Sequence, residues 1–190
     1  MQIRQCVYEV AQTNHGEVLI AECVSSRKAV AIYFLDNDFD LQMEELQETY
    51  PTVQFESGNP TQTALVNIIP ASKTIYYSCQ VVRAINDLDC SLEVKMVQKA
   101  NTPFAAQVYN AVQKIPKGET RSYSDIAREI GNPSATRAVA GACARNNLAY
   151  IVPCHRVIGS SGNLSGYRWG IAKKRTLLQA EGAELRFSAM

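Results

Sequence analysis

The sequence predicts an α+β protein in two parts of similar size. A strand-and-helix unit spans 1–98, and a mainly helical unit carrying a helix-turn-helix spans 99–190. Three observations lead there. Short apolar runs fill the first half, helix caps and breakers punctuate the second, and the charge changes sign between them. Residues 1–90 hold five basic and twelve acidic side chains, for −7; residues 91–190 hold fourteen and six, for +8.

In the first half, EVLIAEC (17–23) and KAVAIYFL (28–35) are short and apolar, with a polar SSR turn between them, as hairpin strands are. Cys6 and Cys23 are placed to face each other on neighbouring strands, and His15 reads as a turn residue. Leu41–Tyr50 reads as a short helix closed by Pro51. Ile75–Leu88 reads as another, with Val81, Val82, Ile85 and Leu88 on one face. Residues 92–97 (LEVKMV) read as a last strand, and the link to the second half falls near Lys99–Pro103.

Beyond the link, Thr102-Pro103 supplies a cap and a first-turn proline for a helix to about Lys114, which Pro116 and Gly118 stop. Ser122 and Asp125 stand at capping-box spacing and open a short helix through Ile130. Gly131 ends it, and Asn132-Pro133 starts the next, which runs to about Arg145. Two short helices joined by a tight Gly-containing turn make the helix-turn-helix. A last helix near Ile171–Ala180 carries Lys173, Lys174 and Arg175 beside Leu177 and Leu178. The second helix of the pair, PSATRAVAGACARN, has small residues with two arginines, Arg137 and Arg145. Two readings fit: tight helix packing, or a helix laid against phosphate-lined DNA.

A chain of 190 residues buries a core without staples. No apolar stretch approaches the ~18 residues of a membrane span. The start, MQIRQCVYEV, lacks a signal-peptide core, so a cytoplasmic chain with reduced cysteines is expected. The cysteines, at 6, 23, 79, 90, 143 and 154, form no C-x-x-C pair and stand at no zinc-ligand spacing with a histidine, so no metal is expected. The basic half suggests an anionic partner, nucleic acid above all, against the alternative of charge matching between the two halves.

The chemistry concentrates in IVPCHRVI, 151–158, where a greasy strand meets a proline, a thiol, an imidazole and a guanidinium in succession. Cations beside a thiol favour the thiolate, the nucleophilic form. Neighbours on a regular strand point to opposite faces, so His155 reaches Cys154 only if Pro153 turns the chain, or through a water. An activated thiol serves a hydrolase, a redox sensor or an alkyl acceptor, and the residues alone leave all three open.

The stretch Pro153-Cys154-His155-Arg156-Val157 resembles the active-site motif of the O6-alkylguanine-DNA alkyltransferases, the methylated-DNA–protein-cysteine methyltransferases. The run from IPKGETRSYSDIAREIG through GACARNN and SGYRWG to LLQAEG is similar to that family's whole C-terminal domain. The form most resembles the C-terminal half of the bacterial adaptive-response protein. The resemblance implies an RNase H-like mixed α/β domain followed by a winged-helix-like helical domain. It implies a cofactor-free repair protein that moves the alkyl group of O6-alkylguanine, and of O4-methylthymine, to Cys154 once per chain. His155 would be the base, acting through a water, and Glu181 would orient the imidazole and hold it protonated. Asn146 would tie the recognition helix to the active-site turn. Tyr123 would rotate the nucleotide and protonate the leaving guanine. Arg137 would fill the gap in the base stack, with Ala135, Ala138 and Ala140 permitting close approach. Backbone carbonyls of Cys154 and Val157 would accept from the guanine amino group. Tyr167, Arg168 (through its backbone N–H) and Trp169 would shape the pocket, the indole narrowing it. The implied partner is double-stranded DNA, bound by a monomer in the minor groove with little sequence preference and with the lesion flipped out. The implied location is cytoplasmic, nucleoid-associated in a bacterium and nuclear in a eukaryote.

Without the resemblance, Glu181 reads as a helix-end carboxylate, Asn146 as a helix C-cap and Tyr123 as a core tyrosine. The chain departs from the family at Tyr109, where Trp is common, at Ala105 (Gln) and at Asn101 (Gly), all read as scaffold positions. The rivals are a DNA-binding regulator whose Cys154 senses damage without repair, and a Cys–His hydrolase with multiple turnovers.

Overall fold

The computed structural model describes residues 4–26, 28–36, 38–58, 78–88 and 102–184. The chain divides into two compact units, one of residues 1–86 and 92–97, the other of 87–91 and 98–190.

In the first unit, β1 (Gln5–Thr13), β2 (Gly16–Cys23), β3 (Lys28–Phe34) and β4 (Gln54–Ser57) form one sheet in the order β3-β2-β1-β4. β1, β2 and β3 run as an antiparallel meander, and β4 lies parallel to β1. The expected strands are β2 and β3. Every residue of β2 from Val18 to Cys23 is buried, so its apolar run is continuous rather than alternating. Cys6 pairs with Cys23 in register, as expected, and both are fully buried. β1 and β4 carry mixed polar sequence and were not separately legible. Helix α1 (Phe39–Thr49) is capped by the Asp38 side chain on the Leu41 N–H at 3.1 Å and buries Leu46. Helix α2 (Ser78–Asn86) buries Val81, Ala84 and Ile85, while Val82 and Leu88 are half-buried. Residues 75–77, the expected strand at 92–97 and the link up to Asn101 lie outside the described residues.

The second unit begins with α3 (Pro103–Gln113), where the Thr102 hydroxyl accepts from the Ala105 N–H at 3.1 Å. A two-residue strand β5 (Arg121–Ser122) leads into α4 (Tyr123–Glu129), closed at its start by the expected capping box of Ser122 and Asp125. Gly131, at φ +76°, makes the turn that a side chain would disfavour. The next helix begins later than expected. Pro133–Ala135 form a 3-10 turn, and α5 proper is Thr136–Ala144. Asn132 stands at the N-cap of that turn without a side-chain capping bond, its side-chain oxygen instead accepting from the Ser134 hydroxyl at 3.0 Å. Tyr109 on α3 donates to Ala142 O on α5 at 2.9 Å, and Val108, Val112, Ile126 and Val139 are fully buried. Each such side chain contributes about 1.5–3 kcal/mol. Strand β6 (Val157–Ile158) pairs parallel with β5, and α6 (Gly170–Ala180) closes the unit. Among the described residues no helix is long and apolar enough to cross a membrane.

The small-residue helix packs on one face and is open on the other. Val139, Ala142 and Cys143 pack inward, while Arg137, Ala138, Ala144 and Arg145 are exposed. Neither arginine forms an ion pair with the described residues.

Candidate active site

The greasy stretch before the thiol is a turn, not a strand. Its backbone polar groups are instead satisfied by one side chain. Asn146 Nδ2 donates to Leu148 O at 3.3 Å and Val152 O at 3.0 Å, and its Oδ1 accepts from the Leu148 N–H at 3.0 Å. Asn146 follows the α5 C-cap, Arg145, by one residue and is fully buried, so it ties the helix end to the turn rather than capping the helix. Tyr150 sits at φ +66° inside this turn, and the chain enters a 3-10 turn at Cys154–Arg156. The 3-10 winding, which the Pro153 carbonyl helps close by accepting from the Arg156 N–H at 2.9 Å, releases Cys154 and His155 from strand alternation.

His155 and Arg156 both turn to Glu181, the C-cap residue of α6. His155 Nε2 lies 3.0 Å from Oε1. Arg156 donates through Nε to Oε2 at 2.9 Å and through Nη2 to Oε1 at 2.7 Å, and Tyr150 Oη donates to Oε1 at 3.1 Å. Arg156 Nη1 also donates to Ile115 O at 2.7 Å. The guanidinium is therefore committed to the carboxylate, not to the thiol as its place in the sequence suggested. Burial raises the Glu181 carboxyl, but the hydrogen bonds from His155 and Arg156 outweigh it and bring the group to about 2. Burial pushes His155 below its usual value despite Glu181, so the resting imidazole is neutral. With Glu181 ionised, Nε2 carries the proton and donates it. Nδ1 is then a lone pair, buried and without a hydrogen-bond partner among the described residues. Tyr150 stacks on the ring at 5.3 Å and 14°, and Tyr167 meets it edge-on at 6.3 Å, which fixes its plane.

Cys154 is buried and held in its thiol form at rest. The hydrogen bond with Cys143 raises its proton affinity most, burial next; the Lys174 charge and the Asn146 side chain pull the other way. Lys174 is itself fully buried, its ammonium donating to Val157 O at 2.6 Å, Ser165 O at 3.2 Å and Gly166 O at 3.3 Å. Burial lowers it to about 8, so it keeps a cation near the two thiols at neutral pH.

A cleft of about 470 Å³ opens over the thiol, large enough for a small ligand. Cys154, Cys143, Tyr123, Ala140, Tyr167 and Arg168 are among the groups that line it. Tyr123 Oη shares its proton between Ser165 O at 3.0 Å and Gly166 O at 3.1 Å, and burial raises its proton affinity. Trp169 is buried behind the wall, edge-on to Tyr167 at 5.3 Å. Arg168 lines the cleft, and its Nη1 donates to Asn146 O at 3.1 Å. Val157 stands off the wall, and its carbonyl already accepts from Lys174, as Cys154 O accepts from the Val157 N–H. Each carbonyl keeps a second lone pair. Ala135 is half-buried in the 3-10 turn before α5, with Arg137 and Ala138 exposed beyond it. Among the described residues no three His, Cys, Asp or Glu side chains cluster as a metal would need.

Sequence reasoning missed Tyr150, Cys143 and Lys174. Lys173, Lys174 and Arg175 read as one solvated basic run, yet only Lys174 is buried. The signal available was position: Lys174 is three residues before Leu177, on the helix's apolar side.

A family model described as the DNA-binding domain of 6-O-methylguanine DNA methyltransferase matches residues 103–183. The chain is 38% identical to the bifunctional transcriptional activator/DNA repair enzyme Ada of Escherichia coli, over 92% of this chain and 45% of that protein. It is 40% identical to the probable methylated-DNA–protein-cysteine methyltransferase of Acanthamoeba polyphaga mimivirus, over 64% of this chain and 84% of that protein. The crystal structure of Mycobacterium tuberculosis OGT in complex with DNA superposes with a TM-score of 0.68 at 30% identity, covering 93% of this chain and 92% of that one. The chain spans about half the length of the Ada proteins it matches.

Proposed function

The chain belongs to the methylated-DNA–protein-cysteine methyltransferase family, and from that premise we propose that it repairs DNA by taking the alkyl group of O6-alkylguanine onto Cys154, once per chain. The carrying observation is the relay behind the thiol. A neutral imidazole, oriented by an ionised Glu181 that Arg156 holds ionised, keeps an unpartnered Nδ1 one residue along the chain from Cys154, which lines a cleft.

The reaction follows from those groups. The Cys154 proton passes to Nδ1, through a water in the proposed arrangement, and the imidazolium that forms is stabilised by Glu181. Buried Lys174 supplies positive charge as the sulfur becomes anionic. The sulfur bonds to the alkyl carbon as the carbon–O6 bond breaks, and guanine leaves with the electron pair. Tyr123 gives up its loop carbonyls to protonate it. The product is a thioether, which offers no leaving group of comparable quality, so the chain is spent. The same geometry suits O4-methylthymine.

The lesion must leave the duplex, at a cost of a few kcal/mol. Arg137, exposed on the small-residue face, fills the vacancy, and Ala135, Ala138 and Ala140 let α5 approach the minor groove. Val157 O and Cys154 O use their second lone pairs for the guanine amino group, and Tyr167, backed by Trp169, bounds the alkyl side. The proposed assembly is a monomer on double-stranded DNA, with little sequence preference. The domain division at 98/99 belongs to the same proposal. So do an RNase H-like first domain, for which the strand order β3-β2-β1-β4 with parallel β4 speaks, and a winged-helix-like second one.

Titration with DNA labelled in the O6-methyl group tests the reading. One label retained per chain is expected. Label released over many cycles makes the chain a hydrolase, and DNA binding without transfer makes it a sensor or regulator.

A further inference from the structure

Cys143 has no part in the transfer chemistry, yet it lines the same cleft as the reacting residue. It is the next-to-last residue of α5, buried against the core, and of the groups around Cys154 it is the one that most raises that thiol's proton affinity. Both residues line the cleft of about 470 Å³. Ten residues separate them in the sequence, and Asn146 clamps that loop from both ends. Its N–H donates to Cys143 O at 3.2 Å, and its amide donates to Val152 O at 3.0 Å, two residues before Cys154. Two buried thiols on one cleft, at the two ends of a loop so clamped, are placed to act as a pair rather than as two isolated cysteines.

We propose that Cys143 and Cys154 are a redox pair: hydroperoxides oxidise Cys154, and Cys143 resolves the product as a disulfide that suspends the alkyl acceptor reversibly. Cys154 gives up its proton to the His155 base, and the thiolate attacks a peroxide oxygen. The O–O bond breaks, the leaving hydroxide takes up a proton, and the sulfur becomes a sulfenic acid, oxidised by two electrons. Cys143 then attacks that sulfur as its own thiol proton goes to the departing oxygen, the S–O bond breaks, and water leaves. Reduction by a small thiol restores both groups. Without a neighbouring thiol the sulfenic acid would climb to sulfinic and sulfonic forms that reductants do not reverse. The disulfide thus guards a nucleophile that the chain can use only once. Its consequence for repair rests on the proposed alkyl transfer, whereas the disulfide itself does not.

The test is peptide mapping of the whole chain after hydrogen peroxide treatment without DNA, with free thiols capped. The dose is set at which exposed Cys79 oxidises. A Cys143–Cys154 linked peptide is expected, with methyl acceptance lost and then regained after dithiothreitol. In Cys143→Ala, Cys154 should appear as sulfinic and sulfonic acid, and dithiothreitol should not restore acceptance. The proposal is overturned if native Cys154 overoxidises while Cys143 stays cappable, if Cys154 links elsewhere, or if neither sulfur reacts at that dose. A linked peptide in a chain that never accepted methyl would instead count against the transfer reading alone.

Discussion

Replacing Glu181 by Gln removes the charge on which three buried donors converge. The carboxyl lies at about 2 in the folded chain against 4.5 unperturbed, with the side chain fully enclosed. At about 1.36 kcal/mol per pK unit the ionised form contributes about 3 kcal/mol of stability at neutral pH. Breaking one partner out of a buried pair costs about 3–5 kcal/mol, so two routes give the same range. The pH sign follows from the depressed value. The contribution is complete above about 4.5, has fallen by more than half at pH 3, and is lost below about 2. Urea unfolding of native chain and Glu181→Gln at pH 7, 5, 4 and 3 measures the difference. A gap of about 3 kcal/mol from pH 7 to 5 that closes toward pH 3 is expected. A gap below about 1 kcal/mol, or one that is constant with pH, would refute an ionised Glu181 anchoring the relay.

Asn146→Ala removes three hydrogen bonds of the turn and should cost about 1–3 kcal/mol of stability, with methyl transfer slowed more than DNA affinity changes; unchanged transfer would separate the turn from the chemistry. His155→Ala should slow transfer by roughly 100-fold or more while duplex binding by gel shift stays near native; a native rate would remove the imidazole from the reaction. Arg137→Ala should weaken transfer from duplex DNA more than from a free modified base, and equal losses on both substrates would sink its role in the vacated stack. Trp169→Gly should hasten inactivation by free O6-benzylguanine by letting Tyr167 relax away from the cleft, and equal rates for both chains would contradict that support.

Where a feature is local in the chain, the residues announced it. Thr102-Pro103, the Ser122–Asp125 box and Gly131 each act within one helical turn, and the structure uses each as expected. The hairpin of β2 and β3 was legible because two apolar runs flank a short polar turn, whereas β1, which brings Cys6 opposite Cys23, was not. The active-site turn was not. Its conformation depends on Asn146 meeting carbonyls two and six residues on, and no period of 2 or 3.6 encodes that. Likewise, Arg156 beside Cys154 suggested an activating cation, but its partner is Glu181, twenty-five residues away. The neutral state of His155 follows from enclosure by tertiary structure, which a motif does not contain. Lys174 differed from its basic neighbours only by the helix face it occupies.

The most direct measurement locates the transferred group. After incubation with duplex DNA bearing O6-methylguanine, peptide mass spectrometry should find one methyl on the sulfur of Cys154 and an equal amount of unmodified guanine in the DNA. Repaired DNA with Cys154 unmodified, or a methyl carried by another residue, would contradict the account.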